Sequence, residues 1–214
     1  MKFDTESGLV SLFKEKIDVF FSIKENPIVL EEVGLGFGIA DLVISELNFS
    51  DIELDREPLN SIDINIYKII ERKKKVTIDS VSETTRCNKR QINESLDKLI
   101  KGNFIEKRDS YYVFTNKYEL SFKKSIAIEA KLKNWKRALM QAYRYKWFAD
   151  YSYVVLDHAY IKVAIENIDM FKRYNIGLIS VSFEGEIFKH NIPRREKPLD
   201  PKMQILLSET LRYS

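Results

Sequence analysis

The 214-residue chain holds a single cysteine, Cys87, and only two histidines, His158 and His190. One cysteine cannot close an internal disulfide, and no Cys/His cluster has the spacing of a zinc site. Apolar runs are short, and none reaches the roughly 18–20 residues that a membrane helix needs. The first residues, MKFDTESGLV, put acids where a secretory signal has a basic start and an apolar stretch. No internal repeat or low-complexity segment stands out. The expectation from these absences is a cytoplasmic protein with no membrane partner.

What is present suits one or two globular domains with real cores, since 44% of residues are hydrophobic and 31% charged. The formal net charge of +3 hides an uneven distribution. Residues 1–59 carry five Lys/Arg against thirteen Asp/Glu, residues 60–117 thirteen against eight, and residues 118–214 seventeen against eleven. An acidic first part followed by two basic parts points to a polyanionic partner for the latter two. Ordinary solvated surface is the alternative.

Hydrophobic spacing gives the organisation. Leu9, Leu12, Phe13, Ile17, Phe20 and Phe21 follow a helical period and predict an amphipathic helix over residues 8–21, in a unit that Pro27 ends. Residues 28–47 read as two or more strands around bends that Gly34, Gly36 and Gly38 permit. The stretch NFSDIELDREPLN, residues 48–60, is acidic, contains Pro58 and reads as a linker. From Ser61 the pattern changes. Ile62, Ile66, Ile69 and Ile70 predict a helix that ends in the basic run Arg72 to Lys75. Thr77 opens a short second helix. Asn88, with Gln91 three residues on, resembles a capping box for a third. Its buried stripe is Ile92, Leu96, Leu99 and Ile100, and Gly102 marks its end. FIEKRDSYYVF then reads as strand, turn at Arg108 to Ser110, strand. The remainder alternates as strand 125–132, helix 134–149, strand 152–157, helix 159–174 and strand 177–183. Pro193, Pro198 and Pro201 precede a last helix near 202–212. Such alternation predicts an α/β sheet, with right-handed crossovers where strands are parallel. The expected domains are a core made of residues 1–59 and 118–214, with residues 60–117 inserted.

Three short stretches carry chemistry. In IAIEAKLKNW, residues 126–135, Ile126, Ile128, Ala130 and Leu132 alternate, so Glu129 and Lys131 share the other strand face with Ala127. In GIAD, Asp41 follows Gly38 in an otherwise apolar strand between Ile39 and Val43, a position that argues against plain exposure. In QAYRY, Gln141 and Tyr145 stand four apart on the next helix. That helix packs through Trp135, Ala138, Leu139, Ala142 and Ala149, while Arg137, Gln141 and Arg144 form a neighbouring polar stripe. Each feature taken singly has an ordinary explanation. A Glu–Lys pair on a half-exposed strand contributes little, Asp41 is a turn or strand-end aspartate, and the arginines are a solvated helix face.

Taken in order, G-x-x-D, E-x-K and Q-x-x-x-Y resemble the PD-(D/E)xK nuclease superfamily, in particular its RecB-like branch, over Asp41 to Tyr145. The resemblance implies a restriction-endonuclease-like mixed sheet flanked by helices, and hydrolysis of DNA phosphodiester bonds. It implies that Asp41, Glu129 and the Ala130 carbonyl hold Mg²⁺ (or Mn²⁺), a hard cation that prefers oxygen donors and lowers the pKa of bound water. It assigns Lys131 to the attacking water or to the developing charge. Gln141 would contact the Lys131 region or a phosphate, with Tyr145 in support. A glutamate on the first helix is another common ligand in that family. Glu15 is the candidate here, with Glu31 and Glu32 as further ones. The family's upstream histidine has no counterpart, because His158 and His190 come much later.

Three helices and a hairpin within residues 60–117 resemble a winged helix-turn-helix. This implies that Arg86, Asn88, Lys89, Arg90 and Asn93 face the major groove, and that Lys107 and Arg108 at the wing tip reach phosphate or the minor groove. Arg137 and Arg144 are natural phosphate contacts. The expected partner is therefore DNA. An insert that makes only protein contacts is the alternative for the winged helix. For the whole chain, the alternatives are a non-catalytic DNA-binding or regulatory protein on a nuclease-like fold, and a structural subunit of a defence or repair complex. A homodimer, or a protein partner in a defence or repair system, stays open.

Overall fold

The computed structural model describes residues 1–21, 27–36, 38–48 and 56–214. Along them run α1 (Glu6–Lys14), α2 (Ile17–Phe21), β1 (Ile28–Gly34), β2 (Ile39–Leu47), α3 (Ser61–Lys73), β3 (Lys75–Val76), α4 (Ile78–Thr85), α5 (Lys89–Lys101), β4 (Ile105–Arg108) and β5 (Tyr111–Phe114). Then come β6 (Phe122–Lys131), α6 (Trp135–Tyr145), β7 (Tyr151–Asp157), a 3₁₀ turn at His158–Tyr160, α7 (Lys162–Glu166), α8 (Ile168–Tyr174), β8 (Gly177–Val181), β9 (Ile187–Asn191) and α9 (Pro201–Arg212). The chain is mixed α/β and forms two compact units, Met1–Asn48 with Phe122–Asp200, and Phe49–Ser121 with Pro201–Ser214. Among the described residues no helix is long and apolar enough to cross a membrane.

The first unit is built on a mixed sheet of order β1-β2-β6-β7-β8-β9. β1, β2 and β6 are antiparallel neighbours, β6, β7 and β8 are parallel, and β9 returns antiparallel to β8. Gly36 and Gly38, at φ 90° and 117°, supply the left-handed backbone between β1 and β2. β7 and β8 are almost wholly buried and largely apolar, with Ser152, Asp157 and Ser180 as their buried polar residues, as suits strands covered on both faces. On one face Leu42, Ile44, Ile126, Ile128, Val155 and Ile179 pack against Leu9, Phe13, Ile17 and Phe20 of α1 and α2. α6 buries Trp135, Ala138, Leu139, Ala142 and Tyr145, and its Tyr145 reaches Glu129 on the alternate face of β6.

Local hydrogen bonding divides helices that periodicity alone joins. The expected helix over 8–21 breaks where Lys16 N–H donates to the Phe13 carbonyl, a tight i−3 turn between α1 and α2. The expected helix over 134–149 leaves α-geometry after Tyr145, where Lys146, Trp147 and Phe148 all make i−3 bonds. The expected helix over 159–174 becomes a 3₁₀ turn, α7 and α8, with Asn167 between the last two donating its side-chain amide to Val163. β9 is a strand that alternation did not anticipate. It is a half-exposed edge carrying Lys189, His190 and Asn191, with little of the apolar signal of a core strand.

The second unit packs α3, α4 and α5 against a small antiparallel sheet of order β3-β5-β4. Asn60, Thr77 and Asn88 each cap their helix reciprocally with Asp63, Ser80 and Gln91. Ile64, Ile66, Tyr67, Ile70, Ile92, Leu96 and Leu99 form the core, whereas Ile62 is exposed. Gly102 ends α5 at an ordinary φ of −78°, and its need for glycine is steric. A Cβ there would lie 2.6 Å from the Phe104 ring.

The sequence pattern assigned α9 to the core and ended the insert at 117. The compact units instead place Pro201–Ser214 and residues 118–121 with the second unit. Buried polar chemistry is the reason. Arg56 donates two hydrogen bonds to Glu209 of α9, at 2.7 and 2.6 Å. Glu209 also accepts from Leu59 N–H and the Tyr118 hydroxyl, and Ser208 accepts from Ser121 N–H. Burial pushes the Glu209 acid up, but these donors outweigh it and hold it below the ordinary glutamate range. Of the expected linker, residues 49–55 lie outside the described residues, while Arg56 and Leu59 are buried.

Candidate active site

The β2–β6 register assembles the site. Leu42 stands opposite Ile128 and Val43 opposite Ala127, so one step further Asp41 comes opposite Glu129. Ala130 N–H donates to Asp41 Oδ2 at 2.6 Å. Lys131, two residues after Glu129 on the same face, brings its ammonium within 2.8 Å of Glu129 Oε1 and 4.0 Å of Asp41 Oδ2. The same nitrogen donates to the Ala130 carbonyl at 2.9 Å and to Glu6 Oε2 at 3.1 Å. Four oxygens thus converge on one cationic nitrogen at the end of β6.

From α6, the buried Tyr145 hydroxyl lies 2.6 Å from the Ile39 carbonyl and in contact with Glu129 Oε2. Gly38, immediately before Ile39, is where a Cβ would sit 3.7 Å from the Tyr145 ring. Side-chain exposure rises from 1% at Glu129 through 13% at Lys131 to 31% at Asp41, so the cluster opens to solvent on the Asp41 side. Burial pushes the Asp41 and Glu129 acids above their ordinary values, with Glu6 and Glu32 adding to the rise at Asp41 and Asp41 adding to that at Glu129. Bonds from Ala130 N–H to Asp41, and from Lys131 and Tyr145 to Glu129, pull back without prevailing. Burial disfavours the Lys131 ammonium, but Glu129, Asp41 and Glu6 outweigh it and raise its pKa. Desolvation and the neighbouring Glu129 keep the Tyr145 phenol neutral.

Asp41, Glu129, Ala130, Lys131 and Tyr145 therefore come together. Gln141 lies half-buried on α6, and its Oε1 is enclosed with no hydrogen-bond partner among the described residues. Arg137 and Arg144 are exposed, and among the described residues neither makes an ion pair. Of the glutamates considered for the first helix and first strand, Glu15 is exposed at the end of α1 and Glu31 pairs with Lys14. Glu32 is exposed, and its charge is felt at Asp41. The first-helix glutamate that reaches the cluster is Glu6. Thr5 caps α1 by accepting from Gly8 N–H, which puts Glu6 in the first turn. The T-E-S-G sequence carried that signal, and starting the helix at residue 8 hid it. His158 and His190 share one partner instead, with His158 Nδ1 and His190 Nε2 each 2.8 Å from the buried Ser180 Oγ.

Among the described residues, no three His, Cys, Asp or Glu side chains form a group able to hold a metal ion. The oxygens gathered around the Lys131 ammonium, two carboxylates and the Ala130 carbonyl, are all hard donors. One or two carboxylates with several retained waters is the usual protein share of a Mg²⁺ site.

In the second unit, Arg86 is the left-handed residue ending α4, and Asn88 begins α5 with its side-chain oxygen engaged in capping. Lys89 pairs with Asp79 at 3.1 Å, Arg90 with Glu94 at 2.9 Å, and Arg108 with Glu106. Asn93 and Lys107 are exposed. Exposed pairs of this kind contribute about 0–1 kcal/mol. Comparison with protein-family models, curated proteins and solved structures returns no match.

Proposed function

We propose that the chain is a metal-dependent nuclease that hydrolyses DNA phosphodiester bonds. The observation that carries this reading is the meeting of Asp41, Glu129 and Lys131 at one strand end, with the Ala130 carbonyl among them. The order of elements supports the finer fold reading. Three antiparallel strands, then α6, then a strand parallel to the third is the arrangement expected of a restriction-endonuclease-like sheet. α3 to β5, with three reciprocally capped helices before a hairpin, is read as a winged helix-turn-helix that binds DNA.

In this reading Asp41, Glu129 and the Ala130 carbonyl hold Mg²⁺ or Mn²⁺. The cation supplies charge neutralisation at the phosphate and acidifies water. Ala130 N–H fixes the Asp41 carboxylate and Tyr145 fixes Glu129, so neither ligand rotates away. Lys131 orients the attacking water or neutralises charge on the phosphate. Gln141 offers an unengaged amide oxygen to water or to the Lys131 ammonium. A second reading, a non-catalytic DNA-binding regulator, draws on the Lys131 ammonium, which already neutralises the carboxylates without any metal.

Incubation of labelled single- and double-stranded DNA and RNA with Mg²⁺, Mn²⁺ or chelator separates the two. The nuclease reading expects cleavage only with cation. It also expects loss of at least about a thousandfold in Glu129→Gln and Lys131→Ala, because metal-assisted stabilisation is worth several kcal/mol. Undiminished cleavage in either variant overturns it. DNA binding without cleavage under any condition supports the regulator.

A further inference from the structure

The stretch from Lys131 to Phe148 holds six Lys/Arg and no Asp or Glu, in a chain whose totals, 35 and 32, nearly balance. Its helix, α6, turns apolar residues toward the sheet, yet its outer face is not simply charged. Met140 and Tyr143, with Trp147 in the turn that continues the helix, follow at intervals of three and four, and are 55%, 38% and 36% exposed. Arg137 and Arg144 flank them without an acidic partner among the described residues. Tyr143 meets the Tyr174 ring of α8 edge-on at 5.3 Å, and Arg173 lies over that ring at 5.8 Å. Of the acids nearby, Glu196 pairs with Lys146 at 2.6 Å and Asp169 with Lys172 at 3.3 Å.

Lys146 lies over the Tyr143 ring at 5.6 Å, so this ring accepts a second, cationic neighbour. Partly exposed aromatic rings, interleaved with arginines that have no acidic partner among the described residues, suit a ligand that offers flat rings and phosphates together. Duplex DNA hides its base faces in the stack, whereas a single strand presents them. We propose that the outer face of α6 binds single-stranded nucleic acid, with bases stacked on Tyr143 and Trp147 and phosphates held by Arg137 and Arg144. The inference rests on the nuclease reading for the identity of the polyanion, and narrows its substrate to strands that are single or opened.

The test is binding in chelator, so that its outcome is independent of cleavage. Labelled oligothymidylate, oligouridylate and a duplex of equal length are titrated by anisotropy at two salt concentrations, with Trp emission read in parallel. Trp135 is 8% exposed, so emission quenched by the oligonucleotide reports Trp147. The expected result is tighter binding of the single strands than of the duplex, with quenching. Tyr143→Ala with Trp147→Ala should weaken single-strand binding about tenfold and leave the salt slope unchanged, because stacking releases no counterions. Arg137→Ala with Arg144→Ala should weaken binding and flatten the slope by about one. Preference for duplex, absence of quenching, or unchanged affinity in the aromatic variant overturns the proposal. So does a concentration-dependent dimer that this variant abolishes while its oligonucleotide affinity stays intact, which would make the face a contact between copies. Loss of cleavage with single-strand binding intact overturns only the nuclease reading.

Discussion

The Tyr145 hydroxyl is buried between two acceptors, the Ile39 carbonyl at 2.6 Å and a Glu129 carboxylate oxygen, and has one proton to give. Tyr145→Phe keeps the ring and its packing and removes that donor alone. A hydrogen bond to a charged group contributes about 1.5–3 kcal/mol, and a buried acceptor left unmet costs a similar amount. The variant should lose about 2–3 kcal/mol of unfolding free energy at neutral pH. Trp135 and Trp147 both lie in the first unit, so urea unfolding followed by their fluorescence isolates the relevant transition. The midpoint should fall with an unchanged slope. The pH dependence has a definite sign. Burial raises the Glu129 acid and the Tyr145 bond lowers it, with the net effect upward. Without that bond the folded-state pKa rises further. A carboxyl whose folded pKa exceeds its unfolded value weakens the fold as pH rises between those values. The deficit of the Phe variant should therefore be largest at neutral pH and shrink on acidification. A deficit under about 0.5 kcal/mol, or one that grows as pH falls, refutes the reasoning.

Glu209→Gln breaks the buried pair with Arg56 and should destabilise the second unit by about 3–5 kcal/mol, read by circular dichroism during urea unfolding. Because Glu209 is held below its ordinary range, wild type should lose this contribution as pH falls through the depressed value, and the variant should lack that acid-sensitive component. Gly177→Ala would place a Cβ 2.0 Å from Tyr153 in the parallel part of the sheet. Overpacking of that kind costs about 1–3 kcal/mol, which thermal unfolding would register.

Local signals were legible in the chain, and long-range ones were not. Thr77 and Asn88 mark their helices because a cap and its partner are three residues apart. Gly36 and Gly38 mark the β1–β2 bend because few other residues accept that backbone. Alternation alone put Glu129 and Lys131 on one face, where their contact now lies. The Asp41–Glu129 juxtaposition needs a strand register between segments that the second unit separates, and no local pattern encodes it. Glu6 and Lys131 meet across 125 residues, and Arg56 and Glu209 across 153. The second of these pairings belongs to the unit that holds α9, a helix that follows the other unit in sequence.

Two carboxylates set side by side by the β2–β6 register, each acid pushed up chiefly by burial, should take up a divalent cation between them, and Mn²⁺ binding measures this directly. Calorimetric or paramagnetic titration of wild type should find a Mn²⁺ site that stabilises the fold by linkage. Asp41→Asn and Glu129→Gln should each weaken it at least about tenfold, since each removes one charged ligand of a hard cation. Wild-type affinity in both variants, or no binding by the wild type, would contradict a shared cation at Asp41 and Glu129.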